Sequence, residues 1–274
     1  MIAKINSFFR KSAPLSVHAC NVTSQFGEDG LIAHITKVVA PAEKYCVEFG
    51  AWDGKLFSNC FALLALSGWR GAMIEADSGK FKELVDIYAA YPGVTAINRL
   101  VDFEGPDCLD AILAEAGAPR NFGLVSIDID GNDYHVWESL VDHTPEIVVI
   151  EFNPTIPNDV EYVQDRSFDL NIGCSLLALI NLGKQKGYEL VATTMVNAFF
   201  VRAEKYPLFG IDDNFIGVMH TPAQDGRTFQ GMDGSIHVIG MDTMIWNEGM
   251  RVSSEDFQVI PKEKRVWQDA QKRK

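Results

Sequence analysis

The chain has 274 residues, of which 47% are hydrophobic and 22% are charged, and its formal net charge at pH 7 is −13. This length is sufficient for one large α/β domain with a buried core. No stretch approaches the ~18 uninterrupted apolar residues that a membrane span requires. The negative field of such an acidic protein repels nucleic acid, so the composition disfavours DNA or RNA as a substrate.

The cysteines and the first residues bear on the cellular compartment. The five cysteines are scattered and include no CxxC pair, which argues against a disulfide framework and a zinc site and favours reduced thiols in a cytoplasmic protein. Residues 1–23 are interpreted as an N-terminal extension, because Lys4 and Asn6 interrupt the apolar run that a signal peptide would need.

Short apolar runs alternate with helical segments from about residue 25 to residue 202. Such alternation is typical of a parallel sheet with helices on both faces. The predicted helices span 28–39, 59–67, 78–90, 108–115, 134–140 and 174–186. The predicted strands span 44–49, 71–75, 94–101, 122–127, 146–150, 188–194 and 197–202, and the last two strands form a hairpin. The sequence therefore predicts a Rossmann-like α/β fold with a mostly parallel seven-stranded sheet and an antiparallel last strand.

Two domain boundaries follow from this order. Residues 24–205 are predicted to form the main ligand-binding domain. Residues 206–274 are rich in Gly, Met and Asp, and they are interpreted as a C-terminal extension that serves as a lid or as a substrate-binding or oligomer element. The alternative is a simple surface extension. The apolar, Met-rich character of this part also suggests a homodimer.

The loop after the first predicted strand reads VEFGAWDG, residues 47–54. In open α/β sheets, ligands bind outside the carboxyl ends of the strands, and glycines let the backbone approach a ligand closely. A dinucleotide fingerprint requires glycine at the first, third and sixth positions, where this chain has Gly50, Trp52 and Lys55. Glu48 and Asp53 would also repel a pyrophosphate. The loop therefore suits a cationic ligand, and the alternative is that its glycines only shape a turn.

Acidic residues also end the second and third predicted strands. Glu75 ends the second strand, where a carboxylate can accept hydrogen bonds from both hydroxyls of a ribose. Asp102 ends the third strand and is a candidate acceptor for an adenine amino group, with Phe103 stacking beside it. Both acids have a plainer interpretation as exposed strand ends.

The fourth and fifth predicted strands end in the densest group of polar residues. Asp128 and Asp130 follow the fourth strand, and Glu151 and Asn153 follow the fifth. Adjacent strands lie about 4.8 Å apart, so these four side chains are expected to face one another. Their oxygen atoms are the ligands that a hard divalent cation such as Mg²⁺ prefers.

Three interpretations of this acidic group remain open. A metal ion held there would lower the pKa of a substrate hydroxyl. Alternatively, Asp128 or Asp130 acts as a general base without a metal, with its pKa raised by neighbouring carboxylates. The third interpretation is that the acids only anchor loops. His135 is a further candidate base, whereas His143 resembles a loop histidine.

The motifs in order resemble the FkbM-like class I S-adenosylmethionine (SAM)-dependent methyltransferases. The segments that carry the resemblance are SQFGEDG (24–30), VEFGAWDG (47–54), SN (58–59), GWRGAMIEAD (68–77), SIDIDGNDYHVW (126–137) and VVIEFNP (148–154). The resemblance implies a class I methyltransferase fold, SAM as cofactor, and O-methylation of a sugar, polysaccharide precursor or other small hydroxylated acceptor. Trp52 and the Asp-Ile-Asp-Gly sequence at 128–131 depart from the common family pattern.

The resemblance and the strand ends together define the candidate site. The residues expected to border the cofactor are Gln25, Glu48, Gly50, Trp52, Asp53, Gly54, Asn59, Glu75, Asp102 and Phe103, with Glu28 a further candidate. The residues expected to handle the proton are Asp128, Asp130 and His135. The residues expected to hold a metal are Asp128, Asp130, Glu151 and Asn153. The sequence leaves two alternative functions open, a non-catalytic methyltransferase-like binding or scaffold protein and an NAD-dependent enzyme.

Overall fold

The computed structural model describes residues 14–221, 227–239, 243–244 and 247–265. The described residues up to 221 belong to one compact unit, and those from 227 onward belong to a second. The predicted N-terminal extension lies outside the described residues as far as residue 13, as does the basic end of the chain from residue 266.

The first unit is built on a seven-stranded sheet with the order β3-β2-β1-β4-β5-β7-β6. Strand β7 lies between β5 and β6 and pairs antiparallel with both, whereas β1–β5 pair in parallel. The predicted Rossmann-like α/β fold, a mostly parallel seven-stranded sheet with an antiparallel last strand, is therefore confirmed. The strands are β1 Tyr45–Phe49, β2 Arg70–Glu75, β3 Val94–Asn98, β4 Leu124–Ile127, β5 Ile147–Glu151, β6 Tyr188–Thr193 and β7 Asn197–Arg202.

Helices cover both faces of the sheet because successive side chains of a buried strand point to opposite faces. On β1, Cys46 packs with the core of one face and Val47 with the core of the other. Helices α1, α2 and α3 contribute to the first core, and α4, α5 and α6 contribute to the second. The helices are α1 Glu28–Val39, α2 Phe61–Leu66, α3 Ser78–Tyr88, α4 Leu109–Glu115, α5 Asp133–Ser139, α6 Leu176–Gln185 and α7 Ile216–Met219.

Residues 206–221, which follow β7, pack against the rest of the first unit. Met219 of α7 is fully buried, and its carbonyl oxygen accepts a hydrogen bond from Thr193 Oγ1 at 2.7 Å. Asn214 donates to the Glu189 carboxylate at 2.8 Å. Both partners lie on β6, so residues 206–221 hold the outer edge of the sheet.

The second unit contains two antiparallel strand pairs. Strand β8 (Arg227–Gln230) pairs with β9 (Ile236–Ile239), and β10 (Thr243–Met244) pairs with β11 (Asn247–Arg251). None of the helices in the described parts of the chain is long and apolar enough to cross a membrane.

Asp110 of α4 anchors the loop between α5 and β5. Its Oδ2 atom accepts the backbone amides of Val141 and Asp142 at 2.7 and 2.9 Å. Its Oδ1 atom accepts the amide and the ring Nδ1 of His143 at 2.9 and 2.8 Å. Burial alone would raise the pKa of Asp110, but these hydrogen bonds outweigh it and hold the pKa below its usual value of 3.8. His143 is thus a loop histidine with a defined partner.

We expect D110N to lower the free energy of unfolding at pH 7 by about 2 kcal/mol, because hydrogen bonds to a charged acceptor are replaced by weaker ones. The ionised form is favoured in the folded state, so its contribution is present above the unfolded pKa. It is lost as the pH falls through the folded pKa, and the two proteins should converge in stability below about pH 4. Urea unfolding at pH 7 and pH 3 measures both effects. D142N removes the same charge from the exposed neighbour, and equal stabilities of D110N and D142N at pH 7 would contradict the prediction.

Candidate active site

Because side chains alternate between the two faces along a strand, the acidic residues at the strand ends project from the same face of the sheet. Ile127 pairs with Ile150 in the β4–β5 ladder, so Asp128 and Glu151 follow as the next row. Glu151 pairs in turn with Asn197 at the start of β7. Because residues opposite each other in neighbouring strands share a face, all three side chains project toward the face that α1 covers.

Gly50 continues the same row at the end of β1. Its φ angle is +72°, and a Cβ atom there would lie 1.8 Å from the carbonyl oxygen of Asp128. Both the backbone conformation and the close approach therefore require glycine. Gly54 at the other end of the loop has a φ of +82°, and a Cβ atom there would lie 2.6 Å from the ring of Tyr88. The loop thus lies tightly between β4 and α3.

Glu75 ties this loop to the end of β2. It is 6% exposed, and its two carboxylate oxygens accept the amides of Trp52 and Asp77, each at 2.7 Å. Trp52 is itself in the left-handed region with a φ of +49°, and the Lys80 ammonium lies 4.7 Å from the centroid of its half-exposed ring. Asp53 accepts two amides of its own loop. Glu75 therefore already holds the loop that was predicted to surround the cofactor.

Glu48 lies beneath the loop that leads to α2. Its carboxylate accepts the Ser58 hydroxyl and the amide of Asn59. Burial raises the pKa of Glu48 to about 7, although these hydrogen bonds act in the opposite direction. Asn59 also donates from Nδ2 to Ser126 Oγ of β4 at 3.0 Å. The hydrogen bonds of Glu48 and Asn59 consequently fix the conformation of the loop that leads to α2.

The residues before and at the start of α1 fold over this edge of the sheet. Asp29 accepts the amides of residues 22, 23 and 24 through one oxygen, Oδ2, at 2.7–2.8 Å. Glu28 is 1% exposed and accepts the Thr194 hydroxyl at 2.7 Å and Asn197 Nδ2 at 3.4 Å. Gln25, in contrast, is exposed. Sequence reasoning missed Asp29 and Asn197, although the two adjacent acids that open α1 were a usable signal.

Three carboxyl groups converge at the mouth of the site. Within the described residues, Asp128, Asp130 and Glu151 each offer an oxygen, and these oxygens lie within 4.8 Å of one another. Burial raises the pKa of Asp128 well above its usual range, and the neighbouring Asp133 and Asp130 raise it further. Burial and the charge of Asp128 raise the pKa of Glu151 to about 10. The raised pKa values of both groups disfavour the state in which Asp128 and Glu151 are charged together without a counter-charge.

Asp133 holds the turn that presents Asp130. Its two oxygens accept the amides of Ile129 and Gly131, each at 2.9 Å. Burial raises the pKa of Asp133 to about 6 against the effect of these hydrogen bonds. Asp130 has a φ of +55° and is exposed. Asp133 is therefore a structural anchor, and Asp130 is the carboxylate that is open to solvent.

Two predicted residues make local contacts instead. Asn153 Oδ1 accepts the amide and the hydroxyl of Thr155 at 2.9 and 2.6 Å, and its Nδ2 donates to Ile172. His135 is 8% exposed and donates from Nε2 to the carbonyl oxygen of Gln164 at 2.8 Å. His135 is not a member of the carboxylate group within 4.8 Å. Both side chains brace the loop that joins β5 to α6, residues 152–175.

Phe103 lies under the same β5–α6 loop. Its ring stacks on Phe168 with centroids 5.3 Å apart, and its edge contacts His135 at 5.7 Å. Asp102 accepts the amide of Phe103 at 2.6 Å. The structure thus places one face of the ring that was predicted to stack on adenine against another aromatic side chain.

Gln164 organises the β5–α6 loop, and no sequence signal pointed to it. It is 2% exposed. Its Nε2 atom donates to Asn132 Oδ1 at 3.0 Å, and its Oε1 atom accepts the amides of Ile172 and Gly173 at 2.9 and 2.8 Å. Since Asn132 lies in the turn that carries Asp130, Gln164 couples the position of this loop to the acidic group.

No family model matches the sequence, and no curated protein matches it. Solved structures with a similar fold include the N-terminal domain of EvdMO1 with S-adenosyl-L-homocysteine (SAH) bound. It has 13% sequence identity and a TM-score of 0.41, and the alignment covers 64% of this chain and 79% of that chain. A SAM-dependent methyltransferase from Clostridium acetobutylicum ATCC 824 has 9% identity and a TM-score of 0.43, with 65% of this chain and 92% of that chain covered. The O-methyltransferase NcsB1 from neocarzinostatin biosynthesis, in complex with SAH and 1,4-dihydroxy-2-naphthoic acid, has 12% identity and a TM-score of 0.37, with 64% of this chain and 57% of that chain covered.

We expect G50A to cost at least about 3 kcal/mol more than G68A in the free energy of unfolding. Both glycines have similar positive φ angles, +72° and +68°, but a Cβ atom at Gly68 would meet nothing within 4 Å. The control therefore carries only the ~1–2 kcal/mol cost of the backbone conformation, whereas G50A also forces β1 away from β4. Urea unfolding measures the difference. Equal losses in the two variants would show that the contact with Asp128 is not rigid.

Proposed function

We propose that this protein is an FkbM-like, SAM-dependent methyltransferase that methylates a hydroxyl oxygen of a sugar, polysaccharide precursor or other small acceptor. The observation that carries the proposal is the chemistry of the strand ends. Carboxyl side chains lie at or directly after the carboxyl ends of β1, β2, β4 and β5, in a sheet whose last strand is antiparallel. In open α/β sheets these ends are where ligands bind.

The negative charge at the carboxyl ends of these strands favours some nucleotide-containing cofactors over others. Glu75 and Glu48 flank the first loop, where a dinucleotide enzyme would place the pyrophosphate against helix amides. Phosphate groups would face carboxylates here, which is unfavourable in a partly buried site. SAM carries a sulfonium and an ammonium group and no phosphate, so the acidic edge favours it over NAD.

Glu75 is the residue that we assign to the ribose. Each of its oxygens accepts one amide and keeps a second lone pair for a hydroxyl donor. Gly50 lets the end of β1 approach the carbonyl of Asp128 more closely than any side chain would allow. Trp52, whose amide is bound by Glu75, supplies half-exposed apolar surface beside this carboxylate.

SAM, when bound, supplies an electrophilic methyl group. The chain's own residues then need to align the acceptor oxygen and remove its proton, and alignment alone contributes several kcal/mol. Asp130 is suited to the proton transfer because it is exposed beside the half-buried Asp128 and Glu151. The β5–α6 loop, held by Gln164 and His135, closes the site on the side of Asp130.

The acidic group also fits a divalent cation. Its three carboxylates are hard oxygen donors, and their oxygens lie within 4.8 Å of one another. Oxygens around one Mg²⁺ ion, at about 2.1 Å from it, are at most about 4.2 Å apart. Asp128, Asp130 and Glu151 would therefore hold such an ion after a small adjustment. The ion would balance the negative charge of the group and polarise an acceptor hydroxyl.

We expect the protein to bind SAH with a dissociation constant in the micromolar range, and E75Q to weaken this binding about tenfold because a charged acceptor for the ribose is lost. Calorimetric titration measures both values. E83Q makes the same substitution on the exposed side of α3 and should leave affinity unchanged. Absence of SAH binding to the unaltered protein would remove the methyltransferase proposal, and NAD should not bind.

We expect D130N to reduce turnover at least about 100-fold while leaving SAH affinity within about twofold, because a proton-handling or metal-binding carboxylate acts on the acceptor and not on the cofactor. Transfer of labelled methyl from SAM to a panel of monosaccharides, with and without Mg²⁺, measures turnover. D169N removes an exposed carboxylate from the nearby β5–α6 loop and should retain activity. Full activity of D130N would exclude Asp130 from the mechanism.

A further inference from the structure

Asn197 is a buried amide with an unused oxygen. The residue is 5% exposed. Its Nδ2 atom donates to Glu28 at 3.4 Å, whereas Oδ1 has neither solvent contact nor a hydrogen-bond partner within the described residues. Because the Glu28 carboxylate can only accept, the amide orientation is defined and Oδ1 is the atom directed away from Glu28. Buried acceptors are nearly always partnered, so this oxygen points to a ligand.

The ladder between β5 and β7 places this amide at the acidic group. Asn197 pairs directly with Glu151, and residues opposite each other in an antiparallel pair have Cβ atoms about 4.5–5.5 Å apart on the same face. Asp128 occupies the adjoining position on β4. Asp128, Glu151 and Asn197 therefore form one row across three neighbouring strands.

The side-chain amide of Asn153, the other candidate near the acidic residues, is already hydrogen-bonded through both of its polar atoms. Both polar atoms of Asn153 take part in hydrogen bonds with Thr155 and Ile172. Using Asn153 as a ligand would break these local bonds, whereas using Asn197 Oδ1 would break none.

We infer that Asn197 supplies a fourth oxygen ligand, through Oδ1, to a divalent cation held by Asp128, Asp130 and Glu151. The inference rests on the metal-assisted function proposed above. A neutral amide oxygen is a common ligand for hard cations, and it completes the oxygen set without adding a fourth negative charge to a buried group. Glu28, fixed by Thr194 and by the amide of Phe26, holds Nδ2 and so orients the ligand oxygen. Through this contact the start of α1 becomes part of the metal site.

The test is an electron paramagnetic resonance titration of the metal-stripped, full-length protein with Mn²⁺, without cofactor or acceptor. We expect N197L, which keeps the branched shape of the side chain and removes its oxygen, to weaken Mn²⁺ binding at least about tenfold. N197A removes the same oxygen with a smaller side chain and should weaken Mn²⁺ binding to a similar extent. T194V is the matched control, because it removes the hydroxyl that bonds to Glu28 and to the Asn197 backbone amide and leaves the Asn197 side-chain amide in place. Its affinity should stay within about twofold of the unaltered protein.

Each alternative outcome overturns the inference in a recognisable way. Unchanged Mn²⁺ affinity in N197L would show that Oδ1 is not a ligand. Equal losses in N197L and T194V would assign the effect to the support of Glu28. If N197L does not fold, N197A decides: unchanged Mn²⁺ affinity contradicts the inference, and a loss of at least about tenfold supports it. SAH titration of the unaltered protein separates the two proposals: SAH binding without Mn²⁺ binding overturns the metal site alone, and binding of neither overturns the methyltransferase function as well.

Discussion

The close contact between Gly50 and the carbonyl oxygen of Asp128 constrains the region formed by the carboxyl ends of the central strands. No side chain fits between these two residues, so the ends of β1 and β4 lie as close together as their backbones allow. The loop that follows Gly50 is then held by the Glu75 carboxylate, and the loop that follows Asp128 is held by Asp133. Each of the two loops that border the site is thus fixed by a carboxylate that accepts backbone amides.

This arrangement concentrates negative charge in a buried region, which is unfavourable for folding unless the charge is neutralised. The protein uses two different solutions. Asp29, Asp133 and Glu75 accept backbone amides, which compensate for lost hydration. Burial and mutual repulsion instead raise the pKa values of Asp128 and Glu151 and so favour their uncharged forms. The first group holds the loops, with a further proposed role of Glu75 at the ribose, and the second group belongs to the acidic cluster to which we assign proton transfer and metal binding.

Two segments distant in sequence close over the acidic group. The start of α1 contacts the β6–β7 turn through Glu28, and the β5–α6 loop contacts the turn of Asp130 through Gln164. Each contact is made by one buried polar side chain, Glu28 or Gln164, which has several hydrogen-bond partners. Such fully connected polar groups specify one arrangement of the loops more strictly than apolar packing does. The acidic group therefore lies between two defined loop segments.

Local sequence patterns were enough to predict the order and type of the elements and the position of the acids at strand ends. Hydrophobic alternation and loop glycines depend only on local residues, so the helix Glu28–Val39 and the hairpin after residue 187 could be predicted directly. The row formed by Asp128, Glu151 and Asn197 could be predicted only in part. Register in a sheet depends on pairing between distant segments, and β7 enters between β5 and β6, which no local pattern encodes. Only the tertiary structure showed that Asn153, His135 and Phe103 contact the β5–α6 loop. It also showed that Gln164 and Asn197 lie beside the acids, because the partners of a polar side chain are decided by long-range packing.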